Sequence, residues 1–387
     1  MNYEKYHDIR PLIASEVPGA IAQLLTVPAL RHAYEQLQVE MPWEGVAQML
    51  EGCDSVDEFK RRLGYYLVKQ VMKHRCSSVH LDTQGLPPER QYTFISNHRD
   101  IILDSAFLNV LLHDAGFGLP QIAIGDNLML QPWVETLVKL NGSFIVRRGL
   151  EGREVLLAAK QLSEYMHDAA AEGINLWIAQ REGRAKDSTD RTQPALLKML
   201  GIGGRSRNLV EALRPLSIVP VTCSYEYDPC DYLKAWEMQM KRDVPHYRKS
   251  GAEDALNMAT GVLGYKGRVT MRLGRPLSQL IEESSWQETP DKELPDFIAS
   301  LMDEEIHRGY ELYPCNYIAW DLFLGREEHA QHYSSEDKQQ FEEYLSQRIG
   351  KIRLPEGLTP DVGFLRRCLL EMYANPAINF AQATKRG

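Results

Sequence analysis

His98, Asp100 and Asp104 are the residues whose types and spacing first suggest chemistry. They fall in Tyr92-Thr-Phe-Ile-Ser-Asn97-His98-Arg99-Asp100-Ile-Ile-Leu-Asp104, where an apolar, β-prone run meets a short polar turn and then a second apolar run. The first run, Tyr92 to Ile95, reads as a strand buried on both faces. The second, Ile101 to Leu112, is apolar on nearly every side and reads as a core helix, with Asp100 placed to cap its first N–H groups. His98 then sits at the C-terminal end of a strand, in the crevice where open α/β sheets place ligands. An alcohol nucleophile must lose a proton as it attacks, and a neutral imidazole suits that task. A carboxylate on the other ring nitrogen would hold the useful tautomer. Both Asp100 and Asp104 are close enough to do so. From this stretch alone, a plain helix cap beside a turn histidine is an equal alternative.

The elements that must hold this turn follow from periodicity. Gln84-Gly-Leu-Pro-Pro88 reads as a linker or turn. Beyond it, Gln121 to Ile124, Ser143 to Val146, Ile174 to Ala179 and Ser217 to Val221 read as strands. Between them, helices begin at Gln131-Pro132 and run from Glu151 to Ala170, with Leu156, Leu157, Ala159 and Leu162 expected to face inward. This alternation predicts an α/β fold, a mainly parallel central sheet flanked by helices. Helical additions are expected at both ends. The division is 1–84 for an N-terminal helical region, 85–280 for the α/β domain and 281–387 for a C-terminal helical region. Tyr313 to Trp320 is aromatic, and core packing is favoured there over a wall of a binding site.

The totals narrow the function. The net charge of −9 over 387 residues argues against a nucleic-acid partner, and an anionic substrate would need a local cationic pocket. Six cysteines are scattered without a CxxC pair, which favours structural thiols and no metal site. Charged residues precede any apolar run at the N-terminus, so no secretory signal is expected. The longest uncharged apolar stretch, Val17 to Leu30, is short and broken by Pro18 and Pro28. A cytoplasmic chain is expected, with peripheral contact at the inner membrane face left open.

Two further polar stretches follow strands and so share the sheet edge with His98. Gly142-Ser-Phe144-Ile145-Val146-Arg147-Arg148-Gly149 ends a strand in two arginines, and a guanidinium can grip a phosphate with two parallel hydrogen bonds. Taken alone, paired arginines after a strand are more often surface charges. Gln180-Arg181-Glu182-Gly183-Arg184-Ala-Lys186-Asp-Ser-Thr-Asp190 offers Gly183 for backbone approach and Arg184 for phosphate. Glu182 can hold that arginine or accept from a substrate hydroxyl. Ile218-Val219-Pro220-Val221 is a strand with an internal proline, which marks an edge, a bulge or a strand end.

Together these stretches resemble the boxes of the glycerolipid acyltransferase superfamily, in family order, over residues of about 90 to 277. Asn97-His98 with Asp104 is similar to the His–Asp box, although five residues stand between His98 and Asp104 where the family usually has four. Phe144-Ile145-Val146-Arg147 is similar to the second box and selects Arg147 first and Arg148 second. Glu182-Gly183-Arg184 is similar to the third, which usually carries one more residue between Gly and Arg; Arg184 or Lys186 would reach the phosphate. The Val-Pro-Val strand around Pro220 would shape the acyl-donor side. The style is nearer the soluble glycerol-3-phosphate acyltransferases than the short membrane-inserted lysophosphatidate enzymes.

The resemblance implies an O-acyltransferase of phospholipid biosynthesis. The donor would be acyl-CoA or acyl carrier protein, and the acceptor glycerol-3-phosphate, 1-acylglycerol-3-phosphate or another lysolipid. His98 would be the base, Asp104 (or Asp100) its partner, and Arg147, Arg148, Arg184 and Lys186 the phosphate site. Backbone N–H groups near Asp100 would face the oxyanion. No cofactor is required. The alternatives are a thioester or lipid ester hydrolase using the same His–Asp pair, and a non-catalytic acyl-CoA- or lipid-binding protein.

Overall fold

A computed structural model describes residues 3–129 and 131–385. Seven strands form one sheet: β1 (Ser78–Asp82), β2 (Thr93–Ser96), β3 (Gln121–Gly125), β4 (Ser143–Val146), β5 (Leu176–Ala179), β6 (Ile218–Tyr225) and β7 (Arg268–Leu273). Their order is β1-β7-β6-β2-β5-β3-β4. The pairings are parallel except β6 with β7, so β1 and β7 run against the other five. The mainly parallel sheet flanked by helices is therefore the observed architecture.

β2 is the centre of this arrangement. Thr93–Ser96 pairs with Leu176–Ala179 on one side and with Ile218–Val221 on the other. Its alternating side chains feed two cores, because successive residues of a strand face opposite sides. Phe94 packs with Phe107, Leu108, Val219 and Met271 on one face. Ile95 packs with Phe144, Tyr165, Met166 and Met302 on the other. A strand held on both edges and both faces gives the turn after it a fixed point of departure.

Several expectations are corrected. β1 lies in the stretch read as helical; Ser78–Asp82 alternates exposed and half-buried residues, a weak strand pattern completed by the distant β7. β6 runs eight residues and is internal to the sheet, despite Pro220. That proline is tolerated because the antiparallel ladder begins at Val221, and the Pro220 carbonyl still accepts from Gly274 N–H at 2.7 Å. The helix Arg153–Ala171 buries Leu162, Tyr165, Met166, Ala169 and Ala170, whereas Leu156 and Leu157 are exposed at 67% and 55%. Its first turns have a cleft beneath them in place of sheet, so the inward face there is Val155, Ala158 and Ala159.

The flanking helical regions form cores of their own. Val17, Ile21, Tyr34, Phe59 and Leu63 make the N-terminal one. Tyr313, Ile318, Phe341, Leu369 and Tyr373 make the C-terminal one, so the aromatic stretch from Tyr313 is core packing and stands away from the cleft. The six cysteines carry no disulfide. No helix among the described residues is long and apolar enough to cross a membrane.

The face of the Arg153 helix is testable. Met166→Ala should cost about 2–5 kcal/mol in urea denaturation, as a core truncation does. Leu156→Gln should stay within about 0.5 kcal/mol of wild type. Equal losses would mean that the helix is turned the other way.

Candidate active site

The turn after β2 is built around one carboxylate oxygen. Asp104 is fully buried in the first turn of the helix Leu103–Asp114. Its Oδ2 accepts from Arg99 N–H at 2.7 Å, from Asp100 N–H at 3.0 Å and from His98 Nδ1 at 2.9 Å. An oxygen that accepts two backbone N–H groups is not the donor to a third partner, so Nδ1 carries the proton and Nε2 is the acceptor. The His98 side chain is 13% exposed and lines the cleft, with the Trp177 ring edge-on at 6.2 Å.

Asp100 does separate work. Its Oδ1 accepts from Ile102 N–H at 2.9 Å and Leu103 N–H at 2.8 Å, so it caps the helix as its position in the sequence suggests. Burial, reinforced by the charge of Asp104, pushes its carboxyl up. Gly261 lets it fit: a Cβ there would stand 2.1 Å from Asp100 Oδ2. Between them the two carboxylates consume the N–H groups of Arg99, Asp100, Ile102 and Leu103. These four donors are therefore lost to an oxyanion, which corrects the expectation. Within the run Arg99 to Leu103, only Ile101 N–H is not spent on either carboxylate, and Ile101 lines the cleft.

The cleft follows the C-terminal edge of β2, β3, β4 and β5 and has a volume of about 1010 Å³. Its lining includes the apolar side chains of Ile124, Val146, Val155, Leu162, Leu196 and Met199. The lining also includes the cations Arg147, Arg148, Arg181, Arg184 and Lys186. Three guanidinium nitrogens of this set, Arg148 Nε, Arg181 Nε and Arg184 Nη1, are buried without a partner.

Each expected cation has a distinct setting. Arg147 is half-exposed and pairs with Asp8 at 2.6 Å. Arg148 pairs with Glu182 at 2.5 Å, and Glu182 is itself largely exposed. Arg184 is buried, with Nη2 on Asn257 Oδ1 at 2.6 Å. Lys186 pairs with Glu237 at 2.7 Å. Burial, then the charge of Arg184, lowers the Lys186 ammonium to about 8. Burial pushes Glu237 up, but Lys186 and Lys241 outweigh it and hold its carboxyl at about 2. Gly183 has φ +69° and nothing near its missing Cβ, so the turn itself requires glycine.

Pro220 does not line the cleft. Sequence reasoning also missed Trp177, Asn257 and Lys234. Lys234 is fully buried on Asp228 and donates to the Arg99 carbonyl at 3.1 Å, yet a lysine in a polar helix reads as solvated surface.

No protein-family model matches the chain. Known proteins similar to it include the dihydroxyacetone phosphate acyltransferase of Bos taurus, 24% identical over 321 residues, which are 78% of this chain and 45% of that protein. The glycerol-3-phosphate acyltransferase of Xanthomonas campestris pv. campestris is 26% identical over 270 residues, 65% of this chain and 29% of that protein. The chain thus spans less than half the length of these curated relatives. A crystal structure of the 1-acyl-sn-glycerophosphate (LPA) acyltransferase PlsC from Thermotoga maritima matches 73% of this chain and 91% of its own, with 11% identity and a TM-score of 0.34. The sequence relatives carry the names of glycerolipid acyltransferases, in agreement with the resemblance of the boxes.

Proposed function

We propose that this chain is an O-acyltransferase that moves a fatty acyl group from a thioester to a hydroxyl of a phosphorylated glycerol. The observation that carries the reading is a histidine with Nδ1 on a buried carboxylate, at the wall of a cleft lined by both cationic and apolar side chains. His98 Nε2 takes the hydroxyl proton as the oxygen attacks the thioester carbon. The C–O bond forms and the C–S bond breaks. The proton returns from His98 to the departing thiol, so no covalent enzyme intermediate arises. Asp104 keeps the imidazole in the accepting tautomer. Ile101 N–H is the donor assigned to the oxyanion.

The phosphate of the acceptor would meet the guanidinium groups of Arg148 and Arg184, which line the cleft together with Lys186. Arg147 would join by leaving Asp8. The apolar side chains of the cleft would take the acyl chain, with acyl-CoA or acyl carrier protein as donor and glycerol-3-phosphate or 1-acylglycerol-3-phosphate as acceptor. A lysolipid acceptor lives in a bilayer, so peripheral contact with a membrane surface is part of the proposal.

Two outcomes follow. Acyl transfer to a phosphoglycerol by the purified chain should fall by about 10²–10⁴-fold in His98→Ala, with the melting temperature kept. Near-normal turnover in that variant would remove His98 from the mechanism. Lys186 is charged below about pH 8 and neutral above it. KM for the phosphorylated acceptor should therefore rise about tenfold between pH 7 and 9, as the competent fraction falls. Lys186→Arg, which stays charged, should abolish the rise. A flat wild-type profile, or the same rise in Lys186→Arg, would take Lys186 out of the phosphate site.

A further inference from the structure

Asp190, the last residue of the third polar stretch, has no part in the chemistry described above. It is fully buried, and its backbone is left-handed with φ +45°. A non-glycine residue held there is unusual and asks for a reason. Its Oδ2 accepts from Asn97 Nδ2 at 3.1 Å, from Arg99 Nη2 at 2.6 Å and from Tyr310 O–H at 2.5 Å. Asn97 and Arg99 are the two residues that flank His98. The buried guanidinium of Arg99 needs a counter-charge, which accounts for one of these bonds. It does not account for Asn97 on the same oxygen.

Asn97 is itself tied across to β6, giving Nδ2 to the Cys223 carbonyl at 3.1 Å and taking Cys223 N–H at 2.7 Å. The loop around Asp190 is fixed from the C-terminal helices. His307 Nε2 meets the Asp190 carbonyl at 3.1 Å, Asp303 accepts Thr192 N–H at 2.7 Å, and Asn375 donates to the Asp187 carbonyl at 2.6 Å. That loop also carries Arg184 and Lys186. One carboxylate thus joins the side chains of the two residues that flank His98 to the loop that bears the cations.

Resting on the acyl-transfer reading, we propose that Asp190 is a positioning residue for His98. It pins the residues before and after the imidazole so that Nδ1 stays on Asp104 and Nε2 meets the acceptor hydroxyl. It also fixes the distance from that nitrogen to the phosphate site. Tyr310 is the anchor through which the C-terminal helices hold Asp190 in place.

The test uses Asp190→Asn in the full chain, beside a double variant of Asp190→Asn with Arg99→Gln that leaves no unpaired buried charge. Three quantities are measured: the melting temperature, kcat with KM for donor and acceptor, and the Nδ1–H resonance of His98 in ¹⁵N-histidine-labelled protein. In both variants kcat should fall about 10²-fold, the scale of a misplaced reacting group, with KM within about threefold. The His98 Nδ1–H resonance should broaden or vanish. The double variant should melt above the single one and still show both defects, which a purely structural ion pair would not do. A folded double variant with wild-type kcat and an unchanged Nδ1–H resonance would overturn the proposal. So would loss of the fold in both variants, which would make Asp190 a folding residue. Failure of the acyl-transfer reading looks different: wild type would move no acyl group, while the imidazole resonance would still answer to Asp190→Asn.

Discussion

The buried Asp104 oxygen with its three donors is the constraint on which the site depends. A carboxylate with no solvent is costly unless hydrogen bonds replace its water. Here the replacements are two backbone N–H groups and an imidazole, at the N-terminus of a helix whose dipole also favours negative charge. The oxygen that stabilises the turn is therefore the oxygen that sets the histidine tautomer. Removing it would disturb backbone and chemistry together.

The sheet brings different chemistry to this turn along one edge. β2 delivers His98, β4 delivers Arg147 and Arg148, and β5 delivers the loop with Arg184 and Lys186. Parallel strands make this possible, since each ends on the same side and hands its following loop to the same crevice. The Arg153 helix then lines the cleft with Val155, Ala158, Ala159 and Leu162, while its Leu156 and Leu157 are exposed.

Much of the fold was legible because its signals are local. The short apolar runs that became β2 to β6 are each followed by turn residues or charges, and Asp100 reads as a cap from its position alone. The extra residue between His98 and Asp104 is absorbed by Ile101 and Ile102, which form a turn before the helix begins at Leu103. The longer spacing is thus compatible with the Nδ1 contact. What was not legible depends on distant partners. β1 is a strand because β7 lies beside it. The outward turn of Leu156 and Leu157 depends on a cleft that periodicity cannot see. Asp190 was visible only as the end of a polar loop, since its partners lie 93, 91 and 120 positions away in sequence.

The most direct test offers the purified chain a labelled acyl thioester with and without glycerol 3-phosphate and follows where the label goes. The account predicts label in an acyl ester of the phosphoglycerol, formed only when the acceptor is present. Label that appears solely as free fatty acid, at the same rate with or without acceptor, would contradict it and assign the His98–Asp104 pair to hydrolysis.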